Sequence, residues 1–398
     1  MLNLTSLQLG KEPSKIRELF EYAKTRKKEI GSNNVFDFSI GNPSVESPKI
    51  VNDTLIDLIK NIDSTKLHGY TSAQGDLEVR ASISNYLNEK YNTNTNPNLI
   101  YMTCGAAASL TISLNAIISN PTDEIIVFAP FFPEYKVFVE NAKGKLVVVE
   151  PTLPTFLPNL NDLKNKISNN TKAVIINSPN NPTGVLLKED IIKEISKILK
   201  EKENIYSHNI YLISDEPYRE LVYTNDKYPF ITNYYDNSII CYSFSKSLSL
   251  PGERIGYIIV NNNCDIKEDL YKAICGSGRK LGFVCAPALF QYMIPNTLGH
   301  TSNLDIYKEN RDILYNNLIK YGYEVVYPDG AFYLFVKSPI NDSNIFSELA
   351  KKYELILVPS DSFGYKGYLR LSYCVDKKMI EKSLLSFEKL IKEVSLNE

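Results

Sequence analysis

Residues 239–260 read IICYSFSKSLSLPGERIGYIIV. Two apolar runs, 239–244 and 255–260, bracket a short stretch of serines with one lysine, one arginine and a glycine. The runs are continuous rather than alternating, as in strands covered on both faces. Lys246 closely follows the first run. A lysine at the C-terminal end of such a strand can point into the cleft where open α/β sheets take ligands. There its amine can attack a carbonyl and form a Schiff base. Arg254, eight residues on, and the nearby serines offer donors for charge-assisted hydrogen bonds to a phosphate. The competing reading is a surface turn with two stray charges. That would suffice for a lone lysine, but S-F-S-K-S-x(4)-G-x-R-x-G is a more demanding pattern.

Outward from this stretch the chain keeps the same grammar. Strand-like runs recur at 99–103, 124–129, 145–150, 173–177 and 210–215. Helical stretches such as 105–118, 134–141 and 188–201 lie between them. Strand, helix, strand in repetition predicts an α/β layered domain with a largely parallel sheet. Near residue 285 the pattern changes. Helical segments at about 302–320 and 377–393 enclose YEVVY, AFYLFVK, LILV and YLRLSY, which predicts a smaller α+β domain. The first ~45 residues are expected to join it. The expected division is 1–45, 46–285 for the large domain and 286–398 for the small one.

Composition narrows the function. The 398 residues carry a formal net charge of -2 with no basic block, so nucleic acid is not the expected partner. Six cysteines form no C-x-x-C pair and suit a reducing compartment. Three scattered histidines argue against a histidine metal site, and no metal is expected. The start, MLNLTSLQLG, lacks the apolar core of a signal peptide, and no run approaches a membrane span. A cytoplasmic location is the expectation.

Further motifs fall at strand ends. Ser214-Asp215-Glu216-Pro217-Tyr218 follows one strand run, and a carboxylate there can cap a helix, bind a metal or sit beneath a cationic ring. Asn177-Ser-Pro-Asn-Asn181-Pro182-Thr183-Gly184 reads as a turn, with an amide able to donate to an anionic oxygen. Gly105-Ala106-Ala107 lies between a strand and a helix, where small residues let a phosphate approach free N–H groups. Phe132 and Tyr135, in APFFPEY, are core aromatics or a ring that stacks on a flat ligand. Arg370 lies in YLRLSY, and a buried arginine there needs an anionic partner. Gly41-Asn-Pro and His68-Gly-Tyr70 complete the set.

Together, and in this order along nearly the whole chain, these motifs resemble the class I and II aminotransferases, enzymes of the aspartate-aminotransferase-like fold that use pyridoxal 5'-phosphate (PLP). The resemblance implies a three-layer α/β/α large domain with a mostly parallel seven-stranded sheet. A smaller α+β domain would come from the two chain ends. It implies that Lys246 carries PLP as a Schiff base. Ser243, Arg254, Gly105, Ala106 and Ala107 would hold the phosphate, with Ser245 beside them. Asp215 would face the ring nitrogen, Tyr218 and Asn181 the phenolic oxygen, and Phe132 or Tyr135 the ring face. Arg370, with Gly41 and Asn181, would contact the substrate. Tyr70 would reach the neighbouring active site of a homodimer. Glu216 and Arg80 would be structural. The implied activity is ping-pong transfer of an amino group from an L-amino acid to a 2-oxo acid, with aspartate aminotransferase a named possibility. A C–S β-lyase of the same fold and a non-catalytic effector-binding protein are the alternatives. Arg279, in GSGRKLGF, is a candidate for a side-chain carboxylate, a phosphate or plain surface.

Overall fold

The computed structural model describes residues 2–396. All seven expected strand runs form one sheet. They are β1 (Ile100–Thr103), β2 (Glu124–Phe128), β3 (Lys145–Val149), β4 (Thr171–Asn177), β5 (Tyr211–Asp215), β6 (Ser238–Ser243) and β7 (Gly256–Val260). Their order is β1-β7-β6-β5-β4-β2-β3. The pairs β2/β3, β2/β4, β4/β5 and β5/β6 are parallel. Strand β7 runs antiparallel to both β6 and β1. The connection fits this direction: residues 244–255 form no helix that could cross over the sheet, so the chain returns alongside itself. That return carries both Lys246 and Arg254.

Alternation along the strands builds the layers. Ile125, Val127, Ile175, Ile213, Ile239 and Ile258 face a helical layer formed by Ala106–Ile117, Glu134–Asn141 and Lys267–Lys280. Their neighbours face the other way. Ile126, Val174, Ile176 and Leu212 meet Ile192, Ile195 and Leu199 of helix Glu189–Tyr206. Ile100, Met102, Ile240 and Ile259 meet Val79, Ile83 and Leu87 of helix Leu77–Tyr91, together with Met293 and Ile294 of helix Ala288–Thr297. Successive strand residues point to opposite faces, so a continuous Ile/Val run needs cover on both sides. Each such side chain contributes about 1.5–3 kcal/mol on burial.

The C-terminal part forms a second sheet, all antiparallel, from β8 (Val325–Val326), β9 (Tyr333–Lys337), β10 (Val358–Pro359) and β11 (Tyr368–Ser372) in the order β8-β9-β11-β10. Helices Leu304–Tyr321 and Lys377–Ser395 cover it through Leu314, Leu318, Phe387 and Leu390. The chain start adds to this part. Phe36–Asp37 pairs in parallel with Leu355–Ile356, and Leu19 and Ala23 of helix Lys15–Ile30 pack on Ile356, Val358 and Phe363. No helix among the described residues is long and apolar enough to cross a membrane.

Candidate active site

Asn177, Asp215 and Ser243 are the last residues of the adjacent strands β4, β5 and β6, and Asn177 and Asp215 lie directly opposite in register. A cleft of about 280 Å³ opens over these ends. Gly41, Ala106, Ala107, Phe132, Asn181, Tyr218, Ser245, Lys246, Arg254 and Arg370 line it with them. Residues from the N-terminal segment, the large sheet and the small sheet thus converge on one space.

Lys246 is half-buried, and its Nζ donates to the Gly41 carbonyl at 2.7 Å. Burial, with help from the Arg254 and Arg370 charges, brings its ammonium down to about 8. Gly41 has to be small: a Cβ there would fall 2.2 Å from the Tyr333 hydroxyl oxygen. Asp215 is buried. Its Oδ2 accepts from the Tyr135 hydroxyl at 2.6 Å, and its Oδ1 is buried with no partner. Burial raises its carboxyl to about 7, against the opposing pull of the Tyr135 bond. Asn177 locks the corner by donating from Nδ2 to the Asp215 carbonyl at 2.9 Å and accepting from Asn181 N–H at 2.7 Å.

Arg370 is 2 % exposed on β11 between the equally buried Leu369 and Leu371. Nη1 reaches Asn181 Oδ1 at 3.3 Å, Nη2 donates to the Ser39 carbonyl, and Nε is buried without a partner. Burial lowers its pKa. The Tyr218 and Tyr333 hydroxyls share a hydrogen bond of 2.7 Å beside it.

Part of the cleft wall is rich in donors. The Ser243 and Ser245 hydroxyls lie 2.7 Å apart, and Arg254 Nη1 rests on the Pro251 carbonyl at 2.9 Å. Arg254 adopts a left-handed φ of 54°, uncommon for a residue with a side chain. Gly105, at φ 90°, starts helix Ala106–Ile117, and a Cβ on it would come 2.9 Å from Arg254 Nη2. A bare helix start with free N–H groups thus meets a guanidinium and two hydroxyls, an arrangement suited to a phosphate.

The sequence model of the family "Aminotransferase class I and II" matches residues 33–386. The chain belongs to this family. As a class I and II aminotransferase it is a pyridoxal-phosphate-dependent transaminase. It is 31% identical to a probable aspartate aminotransferase of Methanocaldococcus jannaschii, over 94% of this chain and 96% of that one. A solved amino transferase of Eubacterium rectale is 51% identical, covers 99% of each chain and superposes with a TM-score of 0.97. The solved aspartate aminotransferase of Thermotoga maritima is 29% identical and covers 96% of this chain and 98% of that one, with a TM-score of 0.85.

The cleft of this aminotransferase fits the cofactor. Its lining brings together an anion-binding corner, a buried carboxylate and a lysine of lowered pKa. Phe132 lines the cleft, whereas Tyr135 lies behind the wall and is bonded to Asp215. Glu216 is buried against Arg219, and Arg80 is tied to the Gly75 and Pro97 carbonyls. Arg279 is exposed on helix Lys267–Lys280 and is not in the cleft wall. Tyr70 is 90 % exposed and does not line the cleft of its own chain. Sequence reasoning missed Tyr333, Asn177 and the hydroxyl of Tyr135. Asn177 carried a signal, since it ends a strand run just as Asp215 does.

Proposed function

We propose that Lys246, Asp215 and Arg370 form the reacting centre of a transaminase acting on an L-amino acid and a 2-oxo acid. The observation that carries this reading is the pairing, in one cleft, of a lysine of lowered pKa with a buried arginine that has no carboxylate partner among the described residues. When bound, pyridoxal 5'-phosphate supplies an aldehyde that condenses with amines and a ring that delocalises the charge left at the substrate Cα.

The residues divide the remaining work. Arg254, Ser243, Ser245 and the Gly105-Ala106-Ala107 turn hold the phosphate. Phe132 covers the ring. Tyr218 and Asn181 would hold its phenolic oxygen, and Asp215 would keep its nitrogen protonated. Arg370 grips the substrate α-carboxylate through its planar fork and fixes the Cα–H bond toward Lys246. Gly41 shapes the cover over the substrate. Lys246 Nζ, freed of its proton more readily than an ordinary lysine, would serve as the base that takes the Cα proton. Donor and acceptor use the same cleft in turn, which gives ping-pong kinetics.

Aspartate is the first donor to test, on the strength of the relatives' names. The experiment is a panel of amino donors with 2-oxoglutarate as acceptor, read as glutamate formed. Glutamate formation with aspartate leading supports the reading. Pyruvate and ammonia released from cystathionine without any acceptor would replace it with a lyase.

The assembly belongs to the same proposal. Tyr70, exposed on its own chain, reaches the phosphate of a neighbouring subunit in a homodimer, and the enzyme works in the cytoplasm. The chain is read as 1–45 and 286–398 together forming the small domain beside 46–285. Supporting this is the pairing of Phe36–Asp37 with Leu355–Ile356. Helix Ala288–Thr297 packs on the large part, so we place the working boundary after it.

A further inference from the structure

The turn that brings Phe132 into the cleft also begins helix Glu134–Asn141, and Tyr135 lies in the helix's first turn. Its backbone N–H donates to the Phe132 carbonyl at 3.0 Å, which turns its ring inward. Tyr135 is 2 % exposed and packs in the core with Val139. Its ring meets Phe132 edge-on at 5.7 Å and 86°. Its hydroxyl has one partner among the described residues, Asp215 Oδ2 at 2.6 Å. Packing alone would be served by phenylalanine. A hydroxyl in such a core needs a buried acceptor, and a buried carboxylate needs donors.

We propose that Tyr135 is a positioning residue for Asp215, tying down Oδ2 so that Oδ1 stays as the carboxylate's single open acceptor. Three observations support it. The bond has the length of a charge-assisted O–H···O⁻ contact. The second oxygen is buried and unpartnered. The Asp215 backbone is fixed separately by Asn177, so the phenol is what orients the side chain. A carboxylate with one donor already in place favours ionisation, and it favours a cationic partner for the other oxygen. The titratable groups facing Asp215 are Glu216 and Tyr218 from its own turn, Cys241 from β6 and Tyr135 from the helix, with Lys246 in the same cleft. Of these, Tyr135 acts in favour of the charged carboxylate through a hydrogen bond, while Glu216 and burial oppose it.

The proposal rests on the reading of Asp215 as the ring-nitrogen partner only in its consequence for catalysis. Its test stands apart from that reading. The carboxyl stretch of Asp215 is followed by infrared spectroscopy against pH in the full chain freed of cofactor, with Asp215→Asn identifying the band. In Tyr135→Phe, which keeps the edge-on ring contact, the protonated band should persist about one to two pH units higher than in the parent, the worth of one hydrogen bond to a charged group. In the loaded enzyme the acid limb of kcat should rise in parallel, with kcat down about tenfold and KM little changed. Tyr135→His, which restores an N–H donor, should bring the titration back toward the parent. An Asp215 titration unmoved by the loss of the hydroxyl overturns the proposal. If the phenylalanine variant does not fold, the parent chain grown with fluorotyrosine carries the same test. A stronger phenol donor should move the titration down, and no movement would count against the proposal.

Discussion

Arg219 and Arg370 are both buried, at 3 % and 2 % exposure, and they are held in opposite ways. Arg219 meets two carboxylates, Glu216 at 3.0 Å and Glu220 at 3.1 Å, donates to the Tyr257 hydroxyl at 2.8 Å and lies 4.0 Å over the Tyr242 ring. Its pKa is raised well above the ordinary arginine range: burial works against the charge, and charged and phenolic neighbours outweigh it. Arg370 donates to a carbonyl and an amide oxygen and lies 4.8 Å and 5.1 Å over the Tyr333 and Phe363 rings, but it has one idle nitrogen and no carboxylate within ion-pair distance among the described residues, and its pKa is lowered. A buried charge is costly unless paired. The first arginine is a finished piece of architecture. The second is a buried charge without a carboxylate counter-ion among the described residues. The same turn shows the contrast at single-residue spacing, since Asp215 lines the cleft and its carboxylate is bonded only to the Tyr135 phenol among the described residues, while Glu216 is ion-paired with Arg219.

Exchanging each arginine for methionine should separate the two roles. Arg370→Met is expected to lower kcat/KM about 10³-fold by removing a two-bond grip on a carboxylate, in steady-state assays with any amino donor. Its unfolding free energy should stay level or rise, because an uncompensated charge has gone. A clear loss of stability would mean that Arg370 is already compensated. Arg219→Met should do the reverse. Denaturant unfolding is expected to show a loss of about 3–5 kcal/mol, since Glu216 and Glu220 are left buried without their cation. The turnover of the folded fraction should stay within a few fold. A collapse in turnover at full stability would erase the distinction.

A smaller effect follows from Lys246, the other cation held without a carboxylate. Its folded pKa, about 8, lies below the ordinary lysine value of 10.5, so between those values the unfolded chain holds a proton that the folded chain does not. Stability from this group therefore rises with pH across that window, and below about 8 the buried charge costs the most. The rate at which the cofactor-free chain captures PLP should climb with pH to a midpoint near 8, followed by absorbance. A midpoint near 10.5 would mean that burial leaves this amine unperturbed.

Much of this was legible in the sequence because strand ends are legible. Seven β-branched runs set the large sheet, and the residues that close three of them, Asn177, Asp215 and Ser243, are cleft residues by position. The direction of β7 was not legible from its own composition, since an Ile/Val run buried on both faces reads alike either way. The short 244–255 connection held that information. Tyr135 was read as core or as a stacking ring because aromatic periodicity reports burial and not hydrogen bonding. Its hydroxyl acquires meaning only when helix Glu134–Asn141 is packed behind β5. Tyr333 was hidden for a similar reason. It comes from the small sheet, and only the folded chain brings its hydroxyl to Tyr218.

The central claim is that the amine of Lys246 carries the cofactor. Reducing the PLP-loaded enzyme with borohydride and mapping the pyridoxyl mass by peptide sequencing tests it most directly. The account predicts one labelled site, Lys246, within the 239–260 stretch. A label on another lysine, or none at all in a protein that has bound PLP, would contradict it.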